Sequence, residues 1–310
     1  MSEAQLVRIY ENKLTILEKA QQHFSNSGLG TIKIGFELEF FLRQKNLSTA
    51  FEEKFLADFI AKLKSEITQK FSLIYQVEKE RGASQIEIKT TFSDNILVLC
   101  LELLKFKEFI TQYLAKDSLY ADFSAQPFFD DCGNALQLNI SLHNLDGKNL
   151  FDGNKRLQEE MAAKLLQETN GIMIFMAPNQ SDYKRFDAQL NRELFAKGKF
   201  SAPINLSFGA NNRTCAIRFA KGDDGVRMEY RVAAADADPF LICAVVLLAL
   251  TAFRNDEMNF EETFGNAFDE QYDLPKLVSN LDEAKAKFFN ENNFVRKMLE
   301  EMVKGSSSLS

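Results

Sequence analysis

At 310 residues, 45% hydrophobic and 26% charged, the chain has the makeup of a soluble globular protein with a real core. Its net charge of −7 is spread along the chain, with no basic stripe interleaved with aromatics, so nucleic acid is not an expected partner. Four dispersed cysteines (Cys100, Cys132, Cys215, Cys243) without a CxxC pair exclude a disulfide framework and point to a reducing, cytoplasmic compartment, and the only histidines, His23 and His143, exclude chemistry built on several imidazoles.

Ser2, Glu3 and the apolar spacing Leu6, Ile9, Leu14 and Leu17 predict an N-terminal helix within residues 1–30, stopped at "SNSGLG". The first residues, "MSEAQLVRIYENKL", carry no apolar signal-peptide core. A strand over about 31–42 and a helix over about 50–70 follow; "SLIYQVEKE" and "SQIEIKTTF" read as strands, and a helix covers about 94–114. "NALQLNISLHNL" alternates strictly and predicts a strand. Two helical stretches flank "MAPNQSDYKRF", and "APINLSFG", "RTCAIRFA" and "VRMEYRVA" read as strands. The apolar run "PFLICAVVLLALTAF" is shorter than the roughly 20 residues of a membrane span and predicts a core helix from Pro239. A polar helical segment ends in "GSSSLS", 305–310, expected to be disordered. No linker divides the alternating strands and helices. Residues 31–304 are therefore expected to form one α+β domain on a mostly antiparallel, curved sheet, with a polar active-site face and helices on its back.

The polar face can be read strand by strand, because residues two apart on a strand share a face. In "KIGFELEFFL", Glu37 and Glu39 oppose Phe36, Leu38 and Phe40. Gln85 and Glu87 oppose Ile86 and Ile88; Gln137, Asn139 and Ser141 oppose Leu136, Leu138 and Ile140; Arg227, Glu229 and Arg231 oppose Met228, Tyr230 and Val232. Taken singly, each strand also fits an antiparallel sheet with one solvated face and ordinary cross-strand ion pairs. Together they concentrate Glu, Gln, Asn and Arg where solvated faces usually carry Thr, Lys and Ser. Two carboxylates on one face repel unless a cation lies between them. Oxygen-only donors suit Mg²⁺ or Mn²⁺, and arginine forks suit phosphoryl oxygens, so the face reads as a metal-assisted phosphoryl-transfer site. Neither GxxxxGK[ST] nor GxGxxG is present to hold the phosphates.

These segments resemble, in order, the catalytic domain of glutamine synthetase. "GFELEFFL" is similar to its E-x-E metal strand, and "EKERGASQIEI" to the segment with two further metal glutamates. "ADFSAQPFFDDCGNALQLNISL" is similar to the run ending in its H-x-H-x-S strand, and "APNQSDYKRF" to its N-S-Y-K-R segment. "APINLSFGANNRTCAIR" resembles its A-P through N-R-S-x-x-I-R segment, "RMEYRVAAADADPFL" its R-x-E-x-R strand and the helix after it, and "EQYDLP" a tyrosine-bearing loop. The resemblance covers roughly residues 31–300.

It implies a two-metal ligase that moves the γ-phosphoryl group of ATP to the side-chain carboxylate of glutamate or a related acid, then joins ammonia or an amine. Carried over, Glu39, Glu80 and Glu87 would hold one Mg²⁺ or Mn²⁺, and Glu37, Glu229 and Gln137 the other. Arg213, Arg218 and Glu80 would be catalytic, the arginines on the transferring phosphoryl group. Gly133, Arg185 and Arg231 would hold the amino-acid substrate, and Asn139, Ser141 and Arg227 would lie along the nucleotide. Arg213 and Arg218 are an odd number apart, so both reach phosphate only if a bulge or loop lies between them.

Four features depart from the family pattern. Gln137 and Asn139 replace the two histidines of the H-x-H strand, Cys132 replaces an asparagine, and Ser201 replaces the flap glutamate, for which Glu193 is a candidate substitute. About 30 residues, read as a helix, stand where the family carries a β-grasp domain, so a homo-oligomer is possible but the family's ring is not required. Tyr272, in the "YDLP" motif, is expected to be structural. Two functions are consistent with this pattern. One is an ATP- and Mg²⁺-dependent carboxylate-amine ligase; the other is a catalytically degenerate nucleotide-binding homologue with a regulatory or scaffolding role. Both take small molecules, and neither involves a membrane.

Overall fold

The computed structural model describes residues 3–45, 50–253 and 259–304; Ser2 and the tail 305–310 lie outside the described residues. The expected N-terminal helix is two, α1 (Glu3–Glu11) and α2 (Lys13–Asn26). Asn12 breaks it: its side-chain amide donates back to the Arg8 carbonyl at 2.8 Å, the local bonding by which asparagine competes with helix continuation. β1 (Thr31–Gln44) carries both E-x-E carboxylates; α3 (Glu53–Lys70), β2 (Ile74–Lys79), β3 (Gln85–Thr90), α4 (Ile96–Ala115) and β4 (Leu119–Asp122) follow. β4 escapes sequence reading because four residues are too few to show a period.

β5 (Leu136–His143) is the strictly alternating strand, followed by α5 (Lys155–Met176), a 3₁₀ turn over Gln180–Phe186 and α6 (Ala188–Ala196). Of "APINLSFG", only β6 (Phe208–Ala210) includes strand residues. Upstream, Pro203 has no N–H to contribute to a ladder, and neighbouring groups bond to loops instead: Leu206 N–H to the Pro275 carbonyl at 2.7 Å and Ala202 N–H to Asn191 Oδ1 at 2.9 Å. The chain closes with β7 (Ile217–Gly222), β8 (Gly225–Tyr230), α7 (Pro239–Leu250), α8 (Leu281–Phe288) and α9 (Phe294–Lys304).

The strands form one open sheet in the order β2-β3-β1-β5-β8-β7-β6, with β4 on the end of β1. Every pairing is antiparallel except β6 with β7. The α+β expectation therefore holds. Phe36, Leu38 and Phe40, with Ile86, Ile88, Leu138, Ile140 and Met228, are buried on the back of the sheet in one continuous core with the helices. α7 is buried along its whole length, packs on α2, α4, α5 and α9, and is capped by Asp238, whose carboxylate accepts from the N–H groups of Phe240 and Leu241. An uncharged helix in such surroundings belongs to the core, and none of the described helices is long and apolar enough to cross a membrane. All four cysteines are free and buried.

Candidate active site

Partners across an antiparallel pair point to the same side of the sheet. Glu39 is opposite Glu87, Glu37 is opposite both Lys89 and Gln137, Asn139 is opposite Glu229, and Glu229 is opposite Arg218. The polar residues read from alternation thus lie on one face, spread over five adjacent strands. Glu80 reaches it from the end of β2, its N–H bonded to the Gln85 carbonyl at 2.9 Å.

Carboxylate oxygens of Glu39, Glu80 and Glu87 lie within 4.8 Å of one another. Glu39 is only 7% exposed and accepts from Ala135 N–H and from Gln137 Nε2, both at 2.8 Å. Burial, with Glu80 nearby, nevertheless pushes its acid up to about 7. Burial and the charges of Glu37 and Glu39 hold Glu87 well above the usual carboxylate range, although Lys89 Nζ lies 3.0 Å away. Three converging carboxylates short of positive charge are a donor set that fits a hard divalent cation such as Mg²⁺ or Mn²⁺.

The second expected ligand set is bonded differently. Arg231 Nη1 donates to Glu229 Oε1 at 2.6 Å and to Gln137 Oε1 at 3.0 Å, and Arg218 Nη1 donates to Glu229 Oε2 at 2.9 Å. Burial alone would raise Glu229, but the charges of Arg231 and Arg218 hold it below its usual range. Glu37 is raised by burial and by Glu229. Glu37, Glu229 and Gln137 are brought onto one face of adjacent strands, with Arg231 bonded to both Glu229 and Gln137.

Two clefts open on this face. One, of about 770 Å³, is lined by Glu37, Lys89, Asn139, Ser141, His143 and Arg227. Within it Arg227 Nε donates to Asn139 Oδ1 at 2.7 Å, and Ser141 Oγ lies 3.0 Å from His143 Nε2. The other, of about 750 Å³, is lined by Arg213, Arg218, Asn211, Phe195, Phe200 and Phe264. Arg218 is on β7 and Arg213 in the turn before it, so the interruption that their odd spacing demands is a turn. Asn211, at φ 51°, accepts from Arg218 Nε at 3.1 Å and fixes the guanidinium against the turn. Arg213 is exposed and makes no hydrogen bond or ion pair among the described residues.

The three residues expected to hold the amino acid form a third group. A Cβ on Gly133 would lie 2.5 Å from the Ala125 carbonyl oxygen and 2.8 Å from Arg185 Cγ, so the chain passes too closely for any side chain. Arg185 is fully buried; its Nη1 and Nη2 donate to the Val232 and Arg231 carbonyls at 2.9 and 3.0 Å, and burial brings the pKa of its guanidinium down to about 10. Its fork thus fixes the backbone that carries Arg231. The Nε–H groups of Arg185 and Arg231 are buried without a partner among the described residues. Beside Gly133, burial pushes the Cys132 thiol up to about 12, so it stays protonated.

Ser201 Oγ accepts from Gly133 N–H at 2.9 Å, and the Ser201 carbonyl accepts from Arg231 Nη2 at 3.4 Å. Lys199 Nζ reaches Asp131 at 2.6 Å, and Asp131 accepts from Ala83 N–H at 2.7 Å. This segment is therefore tied to the substrate group and to the turn between β2 and β3. Glu193 is exposed on α6, its partner Gln189 at 2.9 Å. Two site residues were missed. Alternation puts Gln85 on the polar face without indicating a role; its Nε2 donates to the Gly133 carbonyl and to Asn134 Oδ1, each at 3.0 Å, and approaches Glu39 at 3.4 Å. Lys89 was not singled out, although it lies two residues after Glu87 and so carries the same alternation signal.

An open antiparallel sheet with helices on its back and a carboxylate and arginine face is the fold of glutamine synthetase-type enzymes. The solved structure of GmaS with ADP superposes with a TM-score of 0.77 over 96% of this chain and 73% of that one, at 21% identity. The model of the glutamine synthetase catalytic domain matches residues 52–306, and the chain belongs to that family. Gamma-glutamylputrescine synthetase of Escherichia coli is 31% identical over 72% of this chain and 46% of its own length. The glutamate–methylamine ligase of Methyloversatilis universalis is 31% identical over 57% of this chain and 39% of its own. The chain spans about half the length of the curated relatives it matches, and those relatives are ligases of the glutamine synthetase type.

Proposed function

We propose that the protein is an ATP- and Mg²⁺- or Mn²⁺-dependent ligase that phosphorylates the side-chain carboxylate of glutamate or a related acid and joins it to an amine or ammonia. The observation that carries this reading is the convergence of Glu39, Glu80 and Glu87 within 4.8 Å, on the same sheet face that carries Glu37, Glu229 and Arg218. Glu39, Glu80 and Glu87 would hold the cation, whose contribution is to neutralise phosphate oxygens as charge shifts between them. Asn139, Ser141 and Arg227 line the cleft suited to the nucleotide. Arg218, fixed by Glu229 and Asn211, and Arg213 on the turn face the other cleft, where their forks can take the oxygens of the transferring phosphoryl group.

The substrate carboxylate oxygen attacks the γ-phosphorus, ADP leaves, and an acyl phosphate forms. The amine nitrogen then attacks the carbonyl carbon, phosphate leaves with the carboxylate oxygen, and the nitrogen loses a proton. Gly133 and Arg231, positioned by Arg185, line the substrate end of the face. Two relatives bear the names of ligases for putrescine and for methylamine, which supports an alkylamine as acceptor, and Ser201 in place of the flap glutamate accords with a changed acceptor site. The named relatives are ligases, so they lend the degenerate alternative no support. Purified protein supplied with ATP, Mg²⁺, glutamate and a panel of amines is expected to release ADP and phosphate in a 1:1 ratio only when acid and amine are both present. ATP binding with no release for any pair would overturn the proposal.

A further inference from the structure

We propose that the protein itself holds one divalent cation per chain, on Glu39, Glu80 and Glu87, and that Glu229 and Gln137, taken up by Arg231 and Arg218, do not join Glu37 in holding a second ion. The inference rests on the cation site of the proposed function and departs from the two-ion arrangement that the family resemblance implies.

Gln137 decides the matter. Its amide stands between Glu39 Oε1, 2.8 Å from Nε2, and Arg231 Nη1, 3.0 Å from Oε1. A carboxylate only accepts and a guanidinium only donates, so the amide has one orientation that bonds on both sides; reversed, it would set acceptor against acceptor and donor against donor. The oxygen a cation would need is therefore directed at Arg231. Glu229 is engaged on both oxygens, by Arg231 at 2.6 Å and by Arg218 at 2.9 Å, with Arg227 3.8 Å away. Arg231 is 2% exposed and is held by Glu229, Gln137 and the Ser201 carbonyl. On the far side of Glu37, Lys89 is its register partner and is held by Glu87 at 3.0 Å and Glu78 at 2.6 Å. Any ion placed among Glu37, Glu229 and Gln137 would meet fixed positive charge from both flanking strands. Among the described residues the one ion pair made by Glu39, Glu80 and Glu87 is that of Lys89 with one oxygen of Glu87, although the buried charge of Arg185 also acts on Glu39. The two halves of the face differ accordingly: Arg231 is bonded to both Glu229 and Gln137, whereas Glu39 faces the carboxylate of Glu87 across the β1–β3 pair.

The test is the Mn²⁺ stoichiometry of the nucleotide-free protein, read by loss of the free-ion electron paramagnetic resonance signal, with Glu37→Gln and Glu39→Gln beside the wild type. One ion per chain is expected for the wild type and for Glu37→Gln, and loss of binding for Glu39→Gln; Glu80→Gln, at a half-buried position, replaces it if that variant does not fold. Two ions per chain in the wild type, or a fall in stoichiometry on Glu37→Gln, would overturn the one-ion inference and leave the proposed ligase standing. No bound ion in the wild type would overturn the inference together with the cation site of the proposed function.

Discussion

Glu39 on β1 and Glu87 on β3 stand directly opposite each other, both under a tenth exposed, with Glu80 closing the third side. Two buried like charges on one rung are destabilising unless something positive lies between them or a proton neutralises one. The arrangement therefore makes the stability of the cation-free protein depend on pH. At low pH the acid of Glu39 is protonated in the folded and unfolded chain alike and costs nothing. As pH rises from about 4.5 towards about 7, the unfolded chain releases its proton first, the folded chain comes to bury a charge, and stability falls. At about 1.4 kcal/mol for each tenfold change in proton affinity, Glu39 contributes a loss of roughly 3 kcal/mol across that window. Mg²⁺ is expected to raise Tm more at pH 8 than at pH 5.5, which a thermal-shift series checks; an equal rise at both would contradict it.

Gly133→Ala is expected to cost about 1–3 kcal/mol of stability, because the new methyl meets the Ala125 carbonyl at 2.5 Å and Gln126 Oε1 at 2.7 Å. The shift should push Arg185 and raise KM for the acid more than KM for ATP. Denaturant unfolding and initial rates measure the two effects separately.

Arg213→Ala separates chemistry from folding. The residue is exposed and makes no bond among the described residues, so stability should change by less than about 0.5 kcal/mol. Turnover should fall about 100-fold or more if the guanidinium takes charge from the transferring phosphoryl group. An unchanged kcat would remove Arg213 from the mechanism.

Arg185→Lys tests a positioning role. One ammonium cannot span the Arg231 and Val232 carbonyls as the fork does, and a loss of about 1–3 kcal/mol is expected. Because the backbone so released carries Arg231, KM for the acid should rise while KM for ATP changes little. Equal effects on both would point to general unfolding instead.

The polar face was legible because a strand period of two is strict: Glu37, Glu39, Glu87, Gln137, Asn139 and Glu229 are opposed in register as alternation requires. What alternation cannot carry is which partner a side chain chooses across strands distant in sequence. That Gln137 bridges Glu39 to Arg231 depends on the pairing β1-β5-β8, and nothing local to "LQLNISL" encodes it. Lys89 is inconspicuous in the sequence for a different reason, since a lysine on a solvated face is ordinary until the register sets it opposite Glu37. The break at Asn12 and the short β4 depend on single side-chain bonds and single pairings that leave no periodic trace.

The proposed ligase reaction requires that a side-chain carboxylate become an acyl phosphate before an amine displaces the phosphate. Glutamate labelled with ¹⁸O in its side-chain carboxylate, incubated with ATP, Mg²⁺ and the accepted amine, tests this directly. Transfer of one ¹⁸O atom to each phosphate released, in step with formation of the amide and lost in Glu39→Ala, is the predicted result. Phosphate released without the label, or labelled equally by Glu39→Ala, would contradict it.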